Sequence, residues 1–153
     1  MQSVYDLHSH TTASDGSLSP TALVEHAAGC GVQVLAVTDH DVTSGLTEAK
    51  AAAVVNNIGL VPGIEISVTW AHQTIHVVGL NIDPGNSLLQ SGLEKLHAFR
   101  VWRAEEIARR LDKALIPGSL AAVKTYASGD IISRTHFARF LVAEGYEIGR
   151  AHV

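Results

Sequence analysis

The stretch VYDLHSHTTASDGSLSP, residues 4–20, joins a short apolar run to a polar loop that carries two histidines and an aspartate. The run Val4–Leu7 predicts a buried strand that ends where the polar residues begin. Because side chains alternate along an extended chain, His8 and His10 lie on the same side and can meet one metal ion. Asp15 offers an oxygen ligand a few residues later. The opening of the chain therefore predicts a strand followed by part of a metal site.

Strand and helix patterns alternate after this opening. Ser19 and Pro20 predict a helix cap and a first helical turn, and a second helix is expected to begin at Thr43 or Ser44 and to end at Gly59. Three further strands are predicted at VQVLAVTDHD (32–41), LVPGIEISV (60–68, interrupted by its proline and glycine) and TIHVVGLNI (74–82). This order predicts an α/β fold with a largely parallel sheet and helices packed outside it.

Candidate ligands recur where these strands end, which is where α/β folds place their active sites. Imidazole and carboxylate together suit Mn²⁺, Fe²⁺ or Zn²⁺ better than Ca²⁺ or Mg²⁺. The candidate ligands number more than one ion needs, which favours two or three ions bridged by Glu65: His8, His10, Asp15, His40, Glu65 and His76. Closely spaced ions of this kind hydrolyse phosphate esters through a metal-bound hydroxide.

Several polar residues have simpler interpretations. Asp15 precedes a glycine and is also a good turn residue, Asp39 could cap the next helix, and Glu65 could pair with an arginine. The remaining histidines of this region lack a partner motif, so we predict that they bind no metal: His26, His72 and His97.

The second half of the chain has helical periodicity from Leu88 to Leu115. Two further helices are predicted at about Ser119–Tyr126 and Ile132–Glu144. We divide the chain into an N-terminal barrel part (1–86), a helical insertion segment (87–146) and a final EIGRAHV (147–153). Those last seven residues match a translated sequencing adapter and are predicted to be a non-native tail.

Composition excludes several classes of protein. The 153 residues carry a net charge of −4, which argues against a global basic field for nucleic acid. A single cysteine excludes an internal disulfide framework. With no leader pattern and no apolar run of membrane-spanning length, we expect a cytoplasmic protein without membrane contact. Nothing in the pattern implies a stable protein partner.

Four motifs resemble the first motifs of the PHP (polymerase and histidinol phosphatase) family: DLHSHTTASDG (6–16), AVTDHD (36–41), PGIEIS (62–67) and IHVVG (75–79). Residues 15–49 further resemble the branch of stand-alone phosphoesterases that act on nucleoside 3',5'-bisphosphates and trim RNA from its 5' end. SRTHFARFLVAEGY (133–146) is similar to the helical insertion of that branch. The resemblance implies an incomplete, distorted (β/α)7 barrel with a helical insertion and two or three divalent ions, manganese before iron or zinc.

The resemblance also implies how the ligands divide among the ions. His8, His10 and Glu65 would bind the first ion, Glu65 and His76 the second, and Asp15 and His40 the third. The family completes these sites with later motifs that this chain lacks, so the chain alone is expected to fold poorly and to be inactive or nearly so.

Two groups of arginines follow in the helical half. Arg134, His136 and Arg139 are predicted to grip a substrate phosphate, with a solvated basic helix face as the alternative. For the earlier group the solvated face is the preferred interpretation: Arg100, Arg103, Arg109 and Arg110.

The predicted function is metal-dependent hydrolysis of 5'-phosphorylated nucleotides, nucleoside 3',5'-bisphosphates and RNA from the 5' end. The alternative within the family is a phosphatase for another small metabolite such as histidinol phosphate. A polymerase accessory domain and a non-enzymatic α/β interaction domain are the remaining alternatives, and failure to bind Mn²⁺ or Zn²⁺ would favour the last.

Overall fold

The computed structural model describes residues 3–71, 73–127, 129 and 131–146. His72 and the predicted tail 147–153 lie outside the described residues. The elements in chain order are β1 (Tyr5–Ser9), α1 (Pro20–Gly29), β2 (Val34–Val37), α2 (Leu46–Asn56), β3 (Gly59–Trp70), β4 (Gln73–Leu80), α3 (Ser87–Lys113), α4 (Ser119–Val123) and α5 (Arg134–Ala143). The predicted alternation of strands and helices in the first half is confirmed.

The four strands form one sheet in the order β1-β2-β3-β4. The pairs β1–β2 and β2–β3 are parallel, whereas β3 and β4 form an antiparallel hairpin. The sheet is therefore largely parallel, as predicted, and the carboxyl ends of the first three strands meet at one edge.

Strand β3 runs without interruption through Pro62 and Gly63, contrary to the sequence-based prediction. It pairs with β2 as far as Val37–Pro62, and from Gly63 onward it pairs with β4. The missing N–H of Pro62 falls where the strand changes partner, which is a position that tolerates proline. The Pro62 carbonyl still accepts a hydrogen bond from the N–H of Ile82, at 3.1 Å.

Helices α1 and α2 pack against the sheet around the buried Val24, Leu35 and Ala49. The cap of α1 is as predicted, because the Ser19 hydroxyl accepts a hydrogen bond from the N–H of Ala22. Helix α2 begins at Leu46, later than predicted. The N–H of Leu46 donates to the Thr43 carbonyl, so residues 43–46 form a turn that precedes the helix.

A second apolar cluster lies among α3, α4 and α5, where Phe137, Val123 and Leu111 are buried.

Strand β1 is not buried, contrary to the prediction: Tyr5 is 60% exposed and Leu7 is 39% exposed. The reason is that β1 is an outer strand, which no described element covers on its free edge. None of the described helices has the length and apolar character needed to cross a membrane.

Candidate metal centre

A buried carboxylate with four histidines around it forms the centre of the candidate site. Glu65, with 8% of its side chain exposed, places Oε2 2.9 Å from Nε2 of His8 and 3.0 Å from Nε2 of His10. The same oxygen lies 3.5 Å from Nδ1 of His40, and Oε1 lies 3.8 Å from Nδ1 of His76. The nitrogens thus converge on one carboxylate from two strands, β1 and β4, and from the segments that follow β1 and β2.

Backbone pairing at the carboxyl ends of the strands explains this convergence. The N–H of Thr38 donates to the Ser9 carbonyl, which fixes the end of β1 beside β2. Beyond β2, His40 and Glu65 form an isolated parallel bridge. In this bridge the N–H of Glu65 donates to the main-chain carbonyl of Asp39, and the N–H of Asp41 donates to the main-chain carbonyl of Glu65. His40 and Glu65 are therefore held side by side by main-chain hydrogen bonds.

A buried aspartate holds the loop between β1 and α1. Asp39 accepts hydrogen bonds from the N–H and the hydroxyl of Thr11, both at 2.7 Å, and from the Ser14 hydroxyl at 2.6 Å. It does not cap α2, whose N-cap is Gly45. Asp39 therefore positions the loop that carries His10 and Asp15, a role that the sequence pattern did not separate from helix capping.

Gly16 follows Asp15 in this loop and lies against the main chain. A Cβ atom at this position would come within 2.4 Å of the His10 carbonyl oxygen. The N–H of Gly16 donates to the Thr11 carbonyl at 2.9 Å, which folds the loop back on itself. As a result, Oδ1 of Asp15 lies 4.0 Å from Nδ1 of His10.

The six predicted ligands form three overlapping groups, and within each group the ligand atoms lie within 4.8 Å of one another: His8–His10–Glu65, His10–Asp15–His40 and His40–Glu65–His76. Glu65 belongs to two of these groups, and the two oxygens of a carboxylate can bridge closely spaced ions. The resemblance implied the same groups, except that it did not include His10 in the second or His40 in the third. That these side chains bind ions remains a prediction.

The donor atoms themselves fit divalent cations. Nδ1 of His10 and Nδ1 of His40 are buried and have no hydrogen-bond partner among the described residues. Buried polar atoms are normally satisfied, so each needs a partner. The Nε2 atoms of His8 and His10 lie 3.2 Å apart, and a shared cation would turn these crowded nitrogens into ligands. All donors are nitrogen or oxygen, the set that Mn²⁺, Fe²⁺ and Zn²⁺ accept.

The protonation states suit metal binding. Burial lowers the pKa of His40 below its ordinary value, against the opposing effect of Asp15 and Glu65, so the imidazole stays neutral at neutral pH. Burial acts to raise the pKa of Glu65, but the hydrogen bond with His8 and the nearby histidine charges outweigh it and lower the pKa. Neutral imidazoles and an ionised carboxylate are the forms that coordinate a cation.

A cavity of about 150 Å³ adjoins the histidine cluster, with arginines on its far side. It is lined by Asp15, His40, Ser67, Thr74, His76, Arg100, Arg103, Ser133, Arg134 and Thr135. Burial, and then the charges of Arg100 and Arg134, lower the pKa of Arg103 to about 10. Arg103 therefore remains protonated at neutral pH. Arg103 and Arg134 create a positive potential beside the predicted metal ligands, whereas the charge of Arg100 is balanced by Asp41.

Two arginines of α3 do not lie on a solvated helix face, contrary to the prediction from the sequence. Arg100 is 5% exposed and forms a buried ion pair with Asp41, and Arg103 is half-buried in the cavity wall. Arg109 and Arg110 are exposed, as predicted, and both bind Glu106. The difference follows from position, because Arg100 and Arg103 line the cavity, and Arg100 reaches Asp41 and Ser67.

The buried pair connects α3 to the histidine cluster. Nε of Arg100 donates to Oδ2 of Asp41 at 2.6 Å, and Nη2 of Arg100 donates to the Ser67 hydroxyl at 3.0 Å. The Ser67 hydroxyl also lies 3.3 Å from Nδ1 of His76. This chain of contacts links a helix residue to a predicted ligand on β4.

The three predicted substrate-binding residues occupy different places at the start of α5. Arg134 lines the cavity. His136 is 2% exposed and its Nδ1 accepts a hydrogen bond from the N–H of Ser133, which completes the capping box of α5. Nη2 of Arg139 donates to the Asp15 carbonyl at 3.1 Å. Substrate contact by these residues is a prediction that the geometry leaves to experiment.

A family model described as PHP domain matches residues 6–139. The chain belongs to the PHP domain family. The 5'-3' exoribonuclease Rnm of Escherichia coli (strain K12) is 46% identical over 152 residues, which are 98% of this chain and 52% of that protein. The 3',5'-nucleoside bisphosphate phosphatase of Chromobacterium violaceum is 44% identical over 141 residues, which are 92% of this chain and 50% of that protein.

The fold agrees with this membership. The crystal structure of a Bifidobacterium adolescentis protein described as a metal-dependent phosphoesterase has a TM-score of 0.86 and 31% identity, over 94% of this chain and 51% of that one. The chain spans about half the length of the curated relatives that it matches. The mixed α/β fold and its curled sheet are consistent with part of a PHP barrel. The seven-fold closure and the helical insertion stay predictions.

Proposed function

We propose that this chain forms the first metal-binding half of a phosphoesterase that hydrolyses 5'-phosphorylated nucleotides, nucleoside 3',5'-bisphosphates and RNA from the 5' end. One observation carries the proposal: His40 and His76 of the histidine cluster line a cavity whose wall also holds three arginines, Arg100, Arg103 and Arg134. Cation ligands beside fixed positive charge are suited to a phosphate ester, which metal ions and arginines bind together.

The proposed ligands follow the three overlapping groups. His8, His10 and Glu65 would hold one ion, Glu65 and His76 a second, and Asp15 and His40 a third, with the Glu65 carboxylate as the bridge. Manganese is the proposed metal, with iron or zinc as alternatives of the same ligand preference. Such ions, when bound, lower the pKa of a water nucleophile and neutralise phosphate oxygens. The structural relative described as metal-dependent supports this assignment.

The arginines would orient the substrate. Arg134 and Arg103 face the cavity with donors suited to phosphate oxygens. Arg139 and His136 were predicted to touch substrate. Arg139 would instead hold the main chain of Asp15, and His136 would hold the start of α5. Both would thereby fix the position of Arg134 relative to Asp15.

The choice of substrate rests on charge and on the relatives. Relatives named as an exoribonuclease and as a nucleoside bisphosphate phosphatase match more than nine-tenths of this chain. Histidinol phosphate carries an amine and an imidazole, which the arginine cavity would repel, so it is not favoured. A cytoplasmic location and the absence of a stable protein partner stay predictions.

Elemental analysis of the purified chain tests the proposal. The wild-type chain is expected to retain two or more Mn, Fe or Zn ions, and a His8→Ala/His10→Ala variant is expected to lose them. His26→Ala is the matched control, because His26 lies on α1 away from the cluster. A folded wild-type chain that holds no ion, or a double variant that holds as many as the wild type, would contradict the proposed centre.

A second measurement separates the substrates. Isothermal titration with a nucleoside 3',5'-bisphosphate and with histidinol phosphate is expected to give binding for the first and none for the second. The reverse order would favour the alternative phosphatase.

A further inference from the structure

We propose that Phe99 and Trp102 on α3 form a stacking surface for a nucleobase of the substrate, directly beside the arginine cavity. The proposal rests on the proposed function, because it assigns the surface that binds the substrate beyond its reacting phosphate. The ligand class is a single-stranded RNA or nucleotide whose base stacks while its phosphate occupies the cavity.

Both rings are exposed to an extent that packing within the described chain does not explain. Phe99 is 49% exposed and Trp102 is 57% exposed. Their ring centroids lie 5.4 Å apart at an interplanar angle of 33°. Residues three positions apart on a helix are neighbours on one face, so the rings form one continuous apolar surface. Large exposed apolar surfaces commonly mark binding sites.

This surface adjoins the cavity. A small hollow of about 30 Å³ has Phe99 in its wall and shares Ser67, Thr74, Arg100 and Arg103 with the arginine cavity. Phe99 and Arg103 are four positions apart on α3, so one helical turn separates the ring from the guanidinium. A single nucleotide spans this spacing between its phosphate and its base.

The chemistry of the two neighbouring surfaces matches single-stranded nucleic acid. Proteins that bind it without sequence preference combine a positively charged groove with aromatic side chains on which bases stack. Here Arg103 and Arg134 supply the charge, although the chain as a whole is negative. Every base has a π-face, so this surface would accept any base, which an enzyme that removes nucleotides one after another requires.

The test measures binding by fluorescence anisotropy. The probe is a 5'-phosphorylated adenosine trinucleotide with a 3' label, and the competitor is ribose 5-phosphate, which has a phosphate but no base. Phe99→Leu and Trp102→Leu are each expected to weaken binding of the trinucleotide about 5- to 150-fold, the range for loss of one base–aromatic stack. Trp70→Leu is the matched control, since Trp70 is 71% exposed but lies on β3, outside the Phe99–Trp102 ring pair.

The competitor distinguishes stacking from general damage. Ribose 5-phosphate is expected to bind the two aromatic variants as it binds the wild type, whereas Arg103→Gln weakens both ligands. Equal weakening of both ligands by Phe99→Leu and Trp102→Leu, or none, overturns the stacking proposal. So does a wild-type chain that retains its metal ions yet binds the trinucleotide no better than ribose 5-phosphate. Absence of metal from the folded wild type would instead overturn the proposed function.

Discussion

Replacement of Arg100 by methionine is expected to lower the free energy of unfolding by about 3–5 kcal/mol, the usual cost of breaking a buried ion pair. Arg100 and Asp41 have side-chain exposures of only 5% and 1%. Methionine keeps much of the arginine's apolar stem, so the change removes mainly the charge and the hydrogen bonds to Asp41 and the Ser67 hydroxyl. The Asp41 carboxylate would then keep the N–H of Ser67 as its hydrogen-bond donor.

A second variant isolates the cost of the stranded charge. In Arg100→Met/Asp41→Asn no buried ion is left without a partner. We therefore expect the double variant to be more stable than Arg100→Met alone by about 2 kcal/mol, which is part of the cost of leaving a buried charge unpaired. The single variant Asp41→Asn completes the cycle.

Urea unfolding followed by circular dichroism measures all four proteins. Arg110→Met is the control on the same helix, and because Arg110 is exposed, the expected change is within about 0.5 kcal/mol. A loss below about 1 kcal/mol for Arg100→Met would refute the buried-pair reasoning, since it would equal an exposed pair. A double variant no more stable than the single one would refute it as well.

Three further predictions concern the ligand loop and the protonation of the site. Asp39→Ala removes the acceptor of three hydrogen bonds, and a loss of about 3 kcal/mol or more is expected in urea unfolding; unchanged stability would contradict its role. Gly16→Ala places a Cβ against the His10 carbonyl, so Mn²⁺ titration is expected to show about tenfold weaker binding. Gly29→Ala is the unaffected control, because a Cβ atom at Gly29 would meet open space. Because the pKa of His40 is lowered in the fold, the unfolded chain takes up a proton first as the pH falls below about 6.5. The metal-free protein should therefore lose stability on acidification. Unfolding measurements at several pH values should show a smaller loss for His40→Asn, and an unchanged pH dependence in this variant would contradict the role of His40.

The sequence predicted which candidate ligands lie together better than it predicted the packing around them. His8, His10 and Glu65 could be assigned to one place because the carboxyl ends of parallel strands share an edge, and that geometry follows from strand order alone. The exposure of Tyr5 and the continuity of β3 through Pro62 depend on which strands pair and which edge stays free. Long-range pairing of that kind leaves no local signal in the residues themselves.

Arg100 is different, because its pattern did contain a signal. The buried face of α3 carries four apolar residues: Leu93, Ala104, Ala108 and Leu111. Arg100 lies on the same face, seven residues after Leu93 and four before Ala104. An arginine on a buried stripe requires a buried partner, since an unpaired charge there is costly. The candidates are carboxylates at the sheet edge, and Asp41 directly follows a predicted ligand.

That pairing has a consequence for the division of the chain at residue 86. The arginine belongs to the helical segment and the aspartate to the loop that carries His40, so the buried pair crosses the predicted boundary. Separation of the two segments would leave two charges without partners and would remove Arg103 from the cavity. If the proposed function holds, the helical segment would be part of the site: it would supply positive charge for the phosphate, and its Arg100 holds the loop that carries the predicted ligand His40.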